Sequence, residues 1–284
     1  MFQGDTLETS ITFTNSTKIY RSNMIPKIIH YCWFGGKPEP EDVRRCIASW
    51  KKYLPDYEIR RWDETNYDVT KNQYMSDAYK EKKWAFVSDY CRLDVIHEYG
   101  GIYLDTDVEV VRSFDDLLKE RMFCGFEIRD PKGLKKGESV ELSVNLGLGY
   151  GAEQGHPILK EMLDLYNSLS FYNLDGTLNL VACPCYQTQI LCKHGLEANN
   201  TTQRFDGGIA YSPEFFCPQS NITEEMLCLT INTYSIHHFS RTWSQYGGQL
   251  RLRSYLMKYT GFVLADIISR ILYLPKNFIY KIRK

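Results

Sequence analysis

The stretch Tyr99-Gly-Gly-Ile-Tyr-Leu-Asp-Thr-Asp107 halts a helical pattern with two glycines, adds a short apolar run and ends on two carboxylates. In an extended segment, side chains at i and i+2 point the same way. Asp105 and Asp107 are therefore expected to share a face, with Leu104 and Val108 turned into a core. Such a pair offers hard oxygen ligands to Mg²⁺ or Mn²⁺ and leaves open positions for phosphate oxygens. Asp-Thr-Asp is also ordinary turn chemistry. The surrounding sequence therefore decides.

Upstream, Ala85 to Tyr99 carries Phe86, Tyr90, Leu93 and His97 on one helical face, and Gly100-Gly101 stops it. Ile25 to Phe34 reads as a buried strand, Glu41 to Leu54 as a helix, and Tyr57 to Trp62 as a second strand. This β-α-β order implies a parallel sheet. Ile102 to Leu104 then brings Asp105 to a strand end, where open α/β sheets bind ligands. Downstream, Val108–Val111, Met122–Phe126 and Ser235–Phe239 read as strands, and Val144–Tyr150 as another apolar run, rich in glycine. Pro157–Leu169 and Tyr186–His194 read as helices, and Lys132–Glu138 as a polar, mobile insertion. The class is α/β, with one domain over residues 24–250.

The chain has 284 residues, 43% hydrophobic and 24% charged, with a formal net charge of -1. That is a soluble composition with no global pull toward nucleic acid. No run of eighteen apolar residues exists, so no helix is expected to span a bilayer. Residues 1–23 lack a signal core and read as a disordered extension, with Met24 as an alternative native start to Met1. Nine cysteines show no zinc spacing and read as reduced thiols of a cytosolic protein. From Arg251 to Lys284, eight Lys or Arg stand against one acid, Asp266, among apolar residues. This basic amphipathic tail reads as a helix lying on an anionic membrane surface, or else packed on the domain.

Taken together, Ile25-Pro-Lys-Ile-Ile-His-Tyr-Cys-Trp-Phe-Gly35, Ser88-Asp-Tyr-Cys-Arg92 and the Tyr99–Asp107 stretch form an ordered set. It resembles the glycosyltransferases with a DXD sugar-binding region. That family includes capsular polysaccharide enzymes and yeast mannosyltransferases, and is related to the clostridial glucosylating toxins. The resemblance covers roughly residues 25 to 245. It implies a GT-A type, Rossmann-like domain with a central mixed, mostly parallel sheet, a nucleotide-sugar donor, Mn²⁺ or Mg²⁺, and retention of configuration.

Carried over by position, Trp33 resembles the aromatic that stacks on the nucleotide base. Asp89 and Arg92 resemble the residues holding donor sugar hydroxyls and phosphate, and Tyr103 one near the ribose and sugar. Asp107 is the direct metal ligand of this pattern, and Asp105 touches metal and sugar. Asn145 resembles an acceptor-side asparagine. His237-His238-Phe239 and Trp243 resemble the segment that completes the metal and diphosphate site. The spacing to Trp243 favours His238 as ligand, with His237 the alternative.

The resemblance implies a cytosol-facing bacterial hexosyltransferase that builds a capsular or lipid-linked surface glycan. UDP-hexose is the favoured donor and GDP-mannose the alternative. No carboxylate stands out as a nucleophile, so front-face transfer and a covalent intermediate fit retention alike. The rival readings are a non-catalytic nucleotide-sugar-binding protein on the same scaffold and a toxin-like protein glucosyltransferase.

Overall fold

The computed structural model describes residues 24–128, 142–220 and 226–240, with the isolated position 268. The expected extension 1–23, the insertion 132–138, Trp243 and the tail 251–284 (but for position 268) lie outside the described residues.

The β-α-β unit is present. Strands β1 (Ile28–Cys32) and β2 (Glu58–Trp62) pair in parallel, Ile28 opposite Glu58 through Cys32 opposite Trp62. Helix α1 (Glu41–Tyr53) joins them and buries Val43, Cys46, Ile47 and Trp50, an apolar stripe at helical spacing. Acidic Glu41 and Asp42 in its first turn and Lys51 and Lys52 in its last complement the helix dipole. Trp50 is fully buried and donates its indole N–H to the Val108 carbonyl at 2.7 Å.

Helix α2 (Gln73–Lys80) is capped by Asn72, whose side chain accepts the Met75 N–H. Helix α3 (Trp84–Tyr99) follows and is buried on most sides. Nine of its residues are buried, Asp89 and Arg92 among them, while His97 is half-buried. At its end Gly100 has φ +66° and Gly101 φ +111°, backbone that favours glycine. A Cβ on Gly101 would also stand 2.7 Å from the Ile28 carbonyl oxygen. The Gly-Gly pair thus lets the chain leave α3 and enter the sheet hard against β1.

Strand β3 (Gly101–Tyr103) lies parallel to β1. Strand β4 (Val108–Val110) leaves the main sheet and pairs antiparallel with β10 (Ser235–His237). The rest of the main sheet comprises β5 (Met122–Glu127), β6 (Ser143–Val144), β7 (Tyr150–Ala152), β8 (Gln203–Phe205) and β9 (Gly208–Tyr211). Its order is β2-β1-β3-β7-β5-β9-β8, with β6 attached to β5. Strands β1, β2, β3, β5 and β9 run one way, and β7 and β8 against them. This is the mixed, mostly parallel α/β sheet that was expected. Helices α2, α3, α4 (Pro157–Ser168) and α5 (Cys183–Lys193) cover one face. Helices α1 and α6 (Pro213–Phe216) cover the other.

Two stretches take a form that the sequence reading left open or placed otherwise. The apolar run Val144–Tyr150 is not one strand, because Asn145 Oδ1 accepts the Gly147 N–H and a 3-10 turn at Leu146–Leu148 separates β6 from β7. Helix α5 begins at Cys183 and not at Tyr186, since Pro184 suits a first helical turn. The nine cysteines are unpaired and six are buried.

Candidate functional site

The two aspartates converge, but not along an extended strand. β3 ends at Tyr103, and the Val108 N–H donates to the Asp105 carbonyl at 3.0 Å, closing a four-residue turn. The shared-face argument is corrected accordingly: the turn brings both carboxylates to one cleft. Leu104 and Val108, both fully buried, anchor its two ends as expected.

Asp105, Asp107 and His237 each place a ligand atom within 4.8 Å of the others. His237 Nε2 lies 3.3 Å from Asp107 Oδ1 and 3.8 Å from Asp105 Oδ2. The preference for His238 is corrected by strand alternation. Val108 faces His237 across the β4–β10 pair and Glu109 faces Ile236. His238 has the parity of Ile236, so it turns to the Glu109 side, where its Nε2 meets Glu109 Oε2 at 2.9 Å. Burial would lower the His237 imidazole, but Asp107 and Asp105 outweigh it and hold the pKa above its ordinary value.

Behind this cluster, Arg92 Nη2 lies 3.1 Å from Asp89 Oδ1 and 3.3 Å from Asp105 Oδ1. Its guanidinium also stacks over Tyr103, 4.8 Å from the ring centroid, and the Tyr103 hydroxyl donates to Asp105 Oδ1 at 3.1 Å. Asp89 and Arg92 do form an i,i+3 pair, yet they lie inside the cleft and not on a solvated face. Burial pushes the Asp89 carboxyl up to about 6, against the opposing pull of Arg92 and of the Cys183 thiol. Burial acts on Asp105 too, but Arg92, His237 and Tyr103 hold it below the usual carboxylate range.

The cleft encloses about 650 Å³, within the usual range of small-molecule sites. Trp33, Phe34 and Trp84 form an aromatic wall, and the Trp33 indole N–H donates to the Lys37 carbonyl at 2.6 Å, which fixes the ring. Asn145 also lines the cleft, but its amide is already engaged: Oδ1 takes the Gly147 N–H and Nδ2 donates to Glu127 Oε2 at 2.8 Å. Among the cleft residues that sequence reasoning missed are Trp84, Ser240, Glu127 and Cys183. Glu127 ends β5 as Asp105 follows β3, and that strand-end position was a usable signal. Cys183 had no signal until α5 was seen to start there.

Two carboxylates and one imidazole suit Mn²⁺ or Mg²⁺ with open positions for substrate oxygens. The other oxygen of Asp107, Oδ2, takes the Ser240 N–H and hydroxyl at 2.8 and 2.7 Å, which orients the carboxylate. Gly147 leaves just enough room: a Cβ there would stand 2.2 Å from Asp105 Oδ2 and 3.1 Å from Arg92 Nη1.

One protein-family profile matches more than half of the chain. It is described as "Capsular polysaccharide synthesis protein" and matches residues 5–182. Inositol phosphoceramide mannosyltransferase 3 of Schizosaccharomyces pombe is 27% identical over 173 residues, 57% of this chain and 43% of that protein. Mannosyl phosphorylinositol ceramide synthase SUR1 of Saccharomyces cerevisiae is 32% identical over 104 residues, 34% of this chain and 26% of that protein. The chain thus spans less than half the length of either relative. Among solved structures, the PaToxG glycosyltransferase superposes with a TM-score of 0.44 at 21% identity, covering 60% of this chain and 70% of its own. The galactosyltransferase LgtC does so with a TM-score of 0.30 at 13% identity, covering 71% and 91%. By its sequence match, this chain belongs to the capsular polysaccharide synthesis protein family.

Proposed function

We propose that the chain is a metal-dependent, retaining glycosyltransferase that moves a hexose from a nucleoside diphosphate sugar to a surface-glycan acceptor. The observation that carries this reading is the convergence of Asp105, Asp107 and His237 beside Arg92 at the floor of an aromatic-walled cleft. An acidic floor of this kind repels a diphosphate unless a cation lies between them. A bound Mn²⁺ or Mg²⁺ would supply Lewis-acid stabilisation of the departing diphosphate.

Each residue then has a defined task. Asp107, Asp105 and His237 hold the cation. Trp33 offers its face to the base. Asp89 accepts hydrogen bonds from sugar hydroxyls, and Arg92, held charged by Asp105, Tyr103 and Asp89 despite its burial, faces the diphosphate. Tyr103 fixes Arg92 and Asp105 relative to each other. Asn145 shapes the acceptor side. Trp243 retains its proposed donor contact from the sequence alone. Glycosidic bond cleavage develops oxocarbenium character at the sugar, which the carboxylate-rich floor favours.

The names of both curated relatives carry mannosyl transfer onto an inositol phosphoceramide, a lipid. They support a lipid-borne acceptor and are in keeping with a mannose donor, for which GDP-mannose is the alternative to the favoured UDP-hexose. No helix among the described residues is long and apolar enough to cross a membrane. We assign the catalytic unit to residues 24–250 and a membrane-surface role on the cytosolic face to the basic tail 251–284. A donor screen with UDP- and GDP-hexoses and Mn²⁺, read by product mass, tests the reading. Turnover of no sugar nucleotide would contradict it.

A further inference from the structure

The cleft holds one carboxylate to which no task has been given. Glu127, 8% exposed, stands at the end of β5 and lines the cleft with Asn145, Asp105 and His237. The Asn145 amide bridges it to the donor side: Nδ2 donates to Glu127 Oε2, while Oδ1 accepts the Gly147 N–H at 2.7 Å. The Cβ position of Gly147 lies 3.0 Å from Asn145 Oδ1, 3.1 Å from Arg92 Nη1 and 2.2 Å from Asp105 Oδ2. Glu127 is therefore one amide group away from the atoms that face the donor sugar. Burying a carboxylate is costly without a purpose or a partner. The bond from Asn145 holds its headgroup in place within the cleft wall.

Building on the glycosyltransferase reading, we infer that Glu127 is the catalytic residue that receives the acceptor hydroxyl. Its carboxylate accepts the hydrogen bond of the incoming O–H and takes the proton as the acceptor oxygen bonds to the anomeric carbon on the face that the phosphate leaves, which retains configuration. The bond from that carbon to the donor phosphate oxygen breaks in the same reaction, and the nucleoside diphosphate departs with the electron pair. Asn145 acts as the positioning residue: with one end on Glu127 and the other on the Gly147 amide, it keeps the base in register with Asp105 and Arg92. This assignment separates the two halves of the reaction. Donor binding depends on Asp105, Asp107, His237 and Arg92, whereas bond formation with the incoming hydroxyl also depends on Glu127.

The test compares wild-type protein with Glu127→Gln, which keeps an oxygen to accept from Asn145. UDP-glucose and GDP-mannose with Mn²⁺ serve as donors, and octyl β-D-glucoside and octyl α-D-mannoside as acceptors. Glu127→Gln is expected to bind donor, read by calorimetry in the presence of Mn²⁺, within a few-fold of wild type. Transfer to the acceptor should fall by roughly 100-fold or more, the usual scale for losing a positioned base. Asn145→Ala should show a weaker form of the same split. Transfer near the wild-type rate, or a loss of donor binding as large as the loss of transfer in a folded variant, would overturn the assignment. If wild-type protein cleaves neither donor, the glycosyltransferase reading itself fails, and this assignment with it.

Discussion

At the scale of single residues, the site is built from close approaches that tolerate little change. Asp105 meets Arg92, Tyr103 and the edge of Gly147 at once. Gly147→Ala would press a methyl group into Asp105 Oδ2. The stability cost is that of overpacking, roughly 1–3 kcal/mol. The functional cost is larger, because Asp105 can yield only by leaving Arg92. We expect a folded protein with a modestly lowered Tm and little turnover; wild-type kinetics would show that Asp105 has other room. The two histidines make a sharper contrast. His237→Ala should weaken Mn²⁺ binding by roughly tenfold or more, as ligand loss does, whereas His238→Ala should leave it unchanged. Metal titrations that rank the two variants the other way would refute the placement of His237. Trp33→Ala should cost about 1–3 kcal/mol of nucleotide affinity, the scale of base stacking, and calorimetry reads it directly.

At the scale of elements, β1 and the Gly100-Gly101 entry to β3 are tied together by one neutral histidine. His30 is fully buried; its Nε2 faces the Gly100 carbonyl at 3.0 Å, and its Nδ1 accepts the Trp62 indole N–H at 3.0 Å. Burial, then the nearby Arg60, pushes its pKa down to about 4 from the ordinary 6.5. Across that window the unfolded chain holds more protons than the folded one, so stability rises with pH. The contribution is complete above 6.5 and is lost as pH falls toward 4, a span worth about 3 kcal/mol. Urea midpoints of wild type and His30→Asn should therefore converge on acidification, and parallel curves would contradict the buried neutral ring. His30 also shows where sequence reading stops. Local signals placed β1, α1, β2, α3 and β3, because each has a period, a cap or a glycine stop of its own. The Asp105–Asp107 turn, the break at Asn145 and the choice of His237 over His238 each depend on a partner far along the chain. The β8–β9 hairpin turns at Gly207, with φ +97°, between strands of three and four residues. That is too short to leave a period in the sequence.

At the scale of the whole molecule, the main sheet and the small β4–β10 sheet together bring three strand ends, those of β3, β5 and β10, to one cleft between α3 and α5. Residues as far apart in sequence as Trp33 and Ser240 are thereby gathered into one cleft, whose proposed donor floor and acceptor wall meet at Gly147. The basic tail adds a surface term: full-length protein should sediment with anionic vesicles at low salt, and protein ending at Leu250 should not. Equal sedimentation of the two forms would remove the tail from that role. The central claim is that Asp107 helps hold a divalent cation that in turn holds the donor diphosphate. Titration calorimetry of UDP and GDP into wild-type protein and Asp107→Asn, with Mn²⁺ or with excess chelator, tests it most directly. The account predicts that at least one of the two nucleotides binds wild-type protein only with Mn²⁺, and that Asp107→Asn binds it roughly tenfold or more weakly while unfolding at a similar temperature. Binding that survives the chelator, or that is unchanged in Asp107→Asn, would contradict it.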